Sequence, residues 1–171
     1  MLTAEAIVEA LGLQPLPVEG GLYRQTFVAD ESIAAEALPP RYGREKRLST
    51  AIYYLLTNET SSFSALHRLP TEEIYHFYLG DPVELLQLHP DGSSASVVLG
   101  QDLSRGQRVQ QVVPRGVWQG SHLVGSGRFA LMGTTMAPGY DDLDYEAGVR
   151  DELIASYPDR AELIRRLTRL P

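Results

Sequence analysis

The densest run of chemically competent side chains spans residues 67–80, HRLPTEEIYHFYLG, with two histidines and two glutamates inside its first ten positions. An imidazole beside a carboxylate can move protons near neutral pH or help to hold a divalent metal. Which of these side chains meet depends on the backbone. In a strand, the two-residue period puts Glu73 with Tyr75 and Phe77 on one face and Glu72 with Ile74, His76 and Tyr78 on the other. With Glu73 facing inward, His76 faces outward as a sheet-face or interface histidine. A one-residue shift, or a bulge near Pro70, would exchange the two sets. Glu73-Ile-Tyr-His76 also has the Glu-x-x-His form of di-iron bundles, but that chemistry needs a helix and a second copy, and no other histidine has a glutamate three residues before it. The G-x-G-x-x-A of Gly125–Ala130 would have to open a helix to hold a dinucleotide. The ALMGTTM that follows reads as strand, so a hairpin turn is expected. No G-x-S-x-G and no Walker loop is present.

Tyr23, Arg24, Tyr53, Tyr54 and Tyr75 form a second group of interest. Phenols donate and accept hydrogen bonds and arginine grips carboxylate or phosphate, so an interior lined by them would suit an oxygen-rich small ligand. Packing with the hydroxyl at a rim is the alternative for each tyrosine.

These residues need elements to position them. Residues 3–12 read as a short helix capped by Thr3, with Ile7, Ala10 and Leu11 on one face and Gly12 as its stop. From Val18 to about Ala137 short strands follow one another, rich in β-branched, aromatic and leucine residues. Turns separate them at Gly80-Asp81-Pro82, His89-Pro90-Asp91-Gly92, Pro114-Arg115-Gly116 and Gly125-Ser126-Gly127. Strands at such spacing without intervening helices imply a sandwich or barrel. Residues 30–47 read as a long surface loop with one helical turn at most. The last segment, about 141–170, reads as helical: one helix stops at Pro158, and a second starts from a capping box of Asp159 and Glu162.

Composition sets the outer limits. The chain has 171 residues, 43% apolar and 22% charged, with a net charge of −7 and no cysteine. That fits one domain, residues 1–171. Disulfides and thiol chemistry are excluded. An acidic balance without a basic run argues against nucleic acid. No apolar run approaches the roughly 18 residues of a membrane span, and the N-terminus lacks a basic leader, so a cytoplasmic protein is expected.

A family resemblance rests on particular residues. Glu73-x6-Gly80 fits the second half of the first cupin motif, His67 stands at its first histidine and Leu69 at its second. Pro114-x-Gly116 fits the second motif, with Gln119 at its histidine position. The phrases EGGLYRQTF, STAIYYLL, VVLGQDL, VVPRGVWQ and MGTTMAPGYDDLDYE resemble the one-domain family called cupin superfamily 5, from about Leu11 to Tyr157. The resemblance implies an all-β, cupin-like double-stranded β-helix, or jelly-roll barrel, with a short N-terminal helix and C-terminal helices. It implies a fold like that of sugar-nucleotide epimerases and seed storage proteins, and a homodimer. It names no reaction.

The expected site follows. His67, Glu73 and Gln119 form the inward polar set, with at least one of Tyr23, Tyr53 or Tyr75 beside them. His67 is expected as general base, Glu73 as its hydrogen-bonded orienting partner and Tyr75 as acid, with Tyr23, Arg24, Tyr53, Trp118 and Gln119 binding the ligand. Such a set suits an isomerase or epimerase on a carbohydrate-like or carboxylated ligand. A ligand-binding barrel without turnover is the alternative, and a metal-dependent oxygenase a third. No organic cofactor is expected. A divalent metal would have only His67, Glu73 and Gln119 to hold it, and is not favoured.

Overall fold

A computed structural model describes residues 2–59 and 61–169. Helix α1 (Ala4–Leu11) begins where the Thr3 hydroxyl accepts from the Ala6 amide at 3.3 Å and ends at Gly12 in the left-handed conformation. The strands are β1 (Gln14–Pro15), β2 (Leu22–Val28), β3 (Ser32–Ile33), β4 (Lys46–Arg47), β5 (Thr50–Thr57), β6 (Ser64–Arg68), β7 (Glu73–Gly80), β8 (Val83–Leu88), β9 (Ser94–Leu99), β10 (Gln110–Val113), β11 (Trp118–Leu123), β12 (Phe129–Met136) and β13 (Glu146–Ala147). One sheet runs β1-β2-β5-β12-β7-β10 and a second runs β13-β6-β11-β8-β9. The chain crosses from one sheet to the other between β5 and β6, β6 and β7, β7 and β8, β9 and β10, β10 and β11, β11 and β12, and β12 and β13. This traffic brings the two inner faces together.

Alternation along the strands decides what fills the space between them. Tyr54, Leu56, Tyr75, Phe77, Val83, Leu85, Ala130 and Met132 point inward and form one buried cluster drawn from both sheets. Leu56, Val83, Leu85 and Met132 are wholly buried, and such a side chain contributes about 1.5–3 kcal/mol relative to exposure. The intervening residues Leu55, Phe129 and Leu131 face out and are covered by Ile7 and Leu13. On the far side, Leu66, Leu86 and Leu88 are capped by Leu153, Ile164 and Leu167.

Three expectations are corrected. The tail is not helical from residue 141. A strap comes first, with a 3-10 turn at Asp142–Asp144 and β13 pairing with β6. Only then come α2 (Arg150–Ser156) and α3 (Ala161–Arg166). The capping box at Asp159 does not form, because Pro158–Arg160 makes its own 3-10 turn and α3 has no side-chain cap. The loop 30–47 is also more ordered than its composition implied, since β3 and β4 pair across it and a 3-10 turn spans Ala35–Ala37.

Candidate functional site

The strap crosses one end of the space between the sheets. Asp144, buried in its 3-10 turn, meets the buried Lys46 and accepts from Arg44 at 2.7 Å. Further along, Arg68 donates through Nε and Nη2 to the Glu146 carboxylate at 2.6 and 2.7 Å. Thr50 accepts the Tyr140 amide at 2.8 Å. Between these anchors the strap and the two sheets enclose a cavity of about 570 Å³, within the range of small-molecule sites.

His67 and Glu73 both line this cavity. His67 is 2% exposed, and its Nδ1 lies 2.8 Å from the Ala65 carbonyl oxygen. A carbonyl can only accept, so Nδ1 carries a proton, and in the neutral ring it is Nε2 that holds the lone pair. Among the described residues no group is hydrogen-bonded to Nε2. The ring lies nearly flat on Tyr145, with centroids 4.9 Å apart and planes 19° from parallel. Glu73 comes from the opposite sheet. Its Oε2 accepts from Gln119 Nε2 at 2.7 Å, a buried bond that ties β7 to β11. Gly120, next to Gln119, lets β11 pass close to β6, since a Cβ there would lie 3.0 Å from the Ser64 carbonyl oxygen. Burial pushes the Glu73 carboxyl above the usual glutamate range. The Glu19 charge adds to this, against the opposing influence of His67, Thr134 and Gln119.

Glu73, Tyr75 and Phe77 point inward. His76 points out, with Thr135 and Gln110 each 3.3 Å from its ring nitrogens. The expected hydrogen bond between His67 and Glu73 is absent among the described residues. Each bonds a neighbour in its own direction, so Ala65 and Tyr145 orient the imidazole. Tyr75 is inward but does not line the cavity: its ring fills the core, where burial raises its pKa far above the ordinary value. Tyr23 does line the cavity. Gln119 stands behind Glu73 rather than at the surface of the cavity. Arg24 and Tyr53 lie on the outer face, the guanidinium 5.5 Å above the phenol ring, because Tyr23 and Tyr54 take the inward positions of β2 and β5. Trp118 packs with Leu66, Leu86 and Leu88 under the C-terminal helices, covered by Arg68 at 4.6 Å.

Sequence reasoning missed Glu19, Thr134, Tyr140, Asp141 and Asp142, all of which line the cavity. Glu19 and the strap residues occur within the phrases EGGLYRQTF and MGTTMAPGYDDLDYE, which was the available signal. Glu19 is brought in by a tight loop in which Val18 takes φ +67°, a conformation that a β-branched residue rarely adopts. Its Oε1 accepts from Ser64 Oγ at 2.7 Å.

A two-sheet β-fold with a polar cavity under a strap, reached by the first-motif residues His67 and Glu73, defines a cupin. The chain belongs to the family described as Cupin superfamily (DUF985), whose model matches residues 5–148. It is similar to a Shewanella oneidensis protein of known structure, with a TM-score of 0.85, 31% identity and full coverage of both chains. A hypothetical protein from Leishmania major superposes with a TM-score of 0.86 at 28% identity, over 99% of this chain and 100% of that one. An uncharacterised Saccharomyces cerevisiae protein is 29% identical over 74% of this chain, and the match spans 66% of the yeast protein's length. Oxalate decarboxylase from Bacillus subtilis shares the fold alone, with a TM-score of 0.53 at 12% identity over 91% of this chain and 37% of that one.

Many cupins hold a divalent metal, and the residues here do not fit one. Leu69 puts an apolar side chain in the cavity wall where the second motif histidine would stand. Gln119 turns an N–H donor toward Glu73. Among the described residues no three histidine, aspartate or glutamate side chains are grouped to ligate an ion. No helix of the described residues is long and apolar enough to cross a membrane.

Proposed function

We propose that this cupin binds a small, hydroxyl-bearing molecule in the cavity over His67 and Glu73. The observation that carries this reading is His67: a buried imidazole fixed by the Ala65 carbonyl and the Tyr145 ring, its Nε2 open to the cavity and without a protein partner. An imidazole nitrogen that faces the cavity without a protein partner is an acceptor that a ligand hydroxyl or N–H can engage. Tyr23, Thr134 and Glu73 supply further donors and acceptors on the same wall. Binding without turnover is the reading best supported. A carbonyl partner orients His67 but does not offset the charge of an imidazolium, and the Glu73 carboxylate is engaged by Gln119. Saturation-transfer NMR with a set of monosaccharides and polyols tests it: signals are expected for the wild type and their loss in His67→Ala, whereas equal signals in both proteins would sink the idea.

Isomerisation is the second reading, favoured by one observation. A base and a carboxyl held above its usual range line one cavity, which is how acid and base roles are separated. His67 Nε2 would take a proton from a carbon next to a carbonyl, and protonated Glu73, in place of Tyr75, would return one to the carbon of the resulting enolate. Exchange of such a carbon-bound proton with D₂O, lost in both His67→Ala and Glu73→Gln, is its test. A metal-dependent oxygenase lacks its ligand set in these residues. The binding reading also has the chain acting in the cytoplasm as a homodimer. Exposed Val112 on edge strand β10 and exposed Phe27 on β2 support the assembly, and a monomer in light scattering at micromolar concentration would contradict it.

A further inference from the structure

The cavity wall carries one sign of charge. Glu19, Glu73, Asp141 and Asp142 line it together with His67, and among the described residues no lysine or arginine does. Only Asp141 approaches a cation, with Arg44 at 3.7 Å. Glu19 accepts from a serine and Glu73 from an amide, and among the described residues neither of these nor Asp142 forms an ion pair. Glu73 is buried and Glu19 half-buried within the cavity, while Asp141 and Asp142 stand at its solvent-exposed rim, and carboxylates gathered about a concave site focus a negative potential there. Carrying the binding reading one step further, we infer that the occupant is cationic: a hydroxylated ammonium compound of the amino-sugar or amino-alcohol class.

Independent features point to a ligand at this place. His67, 2% exposed, aims an unpartnered Nε2 into the same cavity and accepts an N–H or O–H from the occupant. The loop that delivers Glu19 is held in its unusual conformation from far along the chain. Arg169 donates through Nε to the Val18 carbonyl at 2.9 Å, and through Nη2 to the carbonyls of Glu19 and Ser61, each at 3.2 Å. A left-handed valine persists only where its surroundings over-determine it, and here they place an acid in a cavity that already has others. An inorganic cation is disfavoured because the acids do not converge in threes on any point. A carboxylated ligand is disfavoured because Arg24, expected to hold it, is on the outer face.

The test is calorimetric titration of the full chain with two matched series, glucosamine, glucose and glucuronate, and then ethanolamine, ethylene glycol and glycolate. The ammonium member of at least one series is expected to bind about tenfold or more tightly than its neutral partner, the anion more weakly than either. Glu19→Gln keeps the shape and the Ser64 contact, and is expected to weaken the ammonium compound about tenfold while leaving the neutral one unchanged. Glu36→Gln, on the exposed surface, is expected to change nothing. A neutral or anionic member that equals or exceeds its ammonium partner overturns the charge inference and leaves the binding reading standing. Silence from all six also overturns it, and crystals soaked in neutral fragments then decide the binding reading separately. Tight uptake of Mn²⁺ or Zn²⁺ that is lost in His67→Ala overturns it too, since the site's cation would be a metal.

Discussion

The Tyr145 ring lies over that of His67, centroids 4.9 Å apart, and joins the strap to an imidazole of the cavity wall. The contact does two things at once. It limits the rotation of His67 about an axis that the Ala65 hydrogen bond leaves soft, and it closes the strap over β6.

Among the described residues the buried Tyr145 hydroxyl finds no hydrogen-bond partner. Removing an unsatisfied polar atom relieves a desolvation cost, whereas removing the ring removes the stack. Tyr145→Phe is therefore expected to match or exceed wild-type stability in urea unfolding, and Tyr145→Ala to lose about 1–3 kcal/mol. Equal losses in the two variants would contradict the assignment of the stack as the stabilising part.

The other anchor of the strap is ionic. Lys46 and Asp144 are both buried, and Arg44 adds a second cation to the same carboxylate. Asp144→Asn leaves the Lys46 ammonium buried without a counter-charge, a change that typically costs about 3–5 kcal/mol. The double replacement Lys46→Met with Asp144→Leu removes both charges at similar volume and is expected to be milder than the single one. Denaturant midpoints decide this, and a single variant within about 0.5 kcal/mol of wild type would refute the buried pair.

Much of the scaffold was legible in the sequence because alternation is a local signal. The run EEIYHFYLG placed Glu73, Tyr75 and Phe77 on one face and His76 on the other, and the structure has them so. The same rule could not choose between Tyr53 and Tyr54, two adjacent phenols of equal propensity. Arg24 went with the wrong one. Glu19 was out of reach for a different reason: its position depends on a left-handed Val18 and on Arg169, 150 residues away. The strap was read as helix because its anchors, Arg44 and Lys46, are 100 and 98 residues from Asp144 and leave no local trace. The orienting partner of His67 was missed because backbone carbonyls carry no sequence signature.

Glu73 gives a pH signature with a definite sign. Its carboxyl holds its proton more tightly in the folded chain than in the unfolded one. The unfolded state therefore releases that proton first, and stability falls as pH rises from the ordinary glutamate value of 4.5 toward the raised folded value, then levels off. Glu73→Gln keeps the shape and abolishes the ionisation. The variant is expected to gain in melting temperature relative to wild type on going from pH 4 to pH 8. A difference that is flat across that range, or that runs the other way, would show that Glu73 ionises freely in the folded protein.

The most direct measurement of the central claim is a crystallographic fragment soak of the wild-type protein at high resolution. Small hydroxylated and aminated fragments are expected to collect in the cavity under the strap, each with a polar atom within hydrogen-bond distance of His67 Nε2 and a second contact to Glu73 or Glu19. A soak in which fragments settle on other surfaces, while ordered water alone remains beside His67, would contradict it.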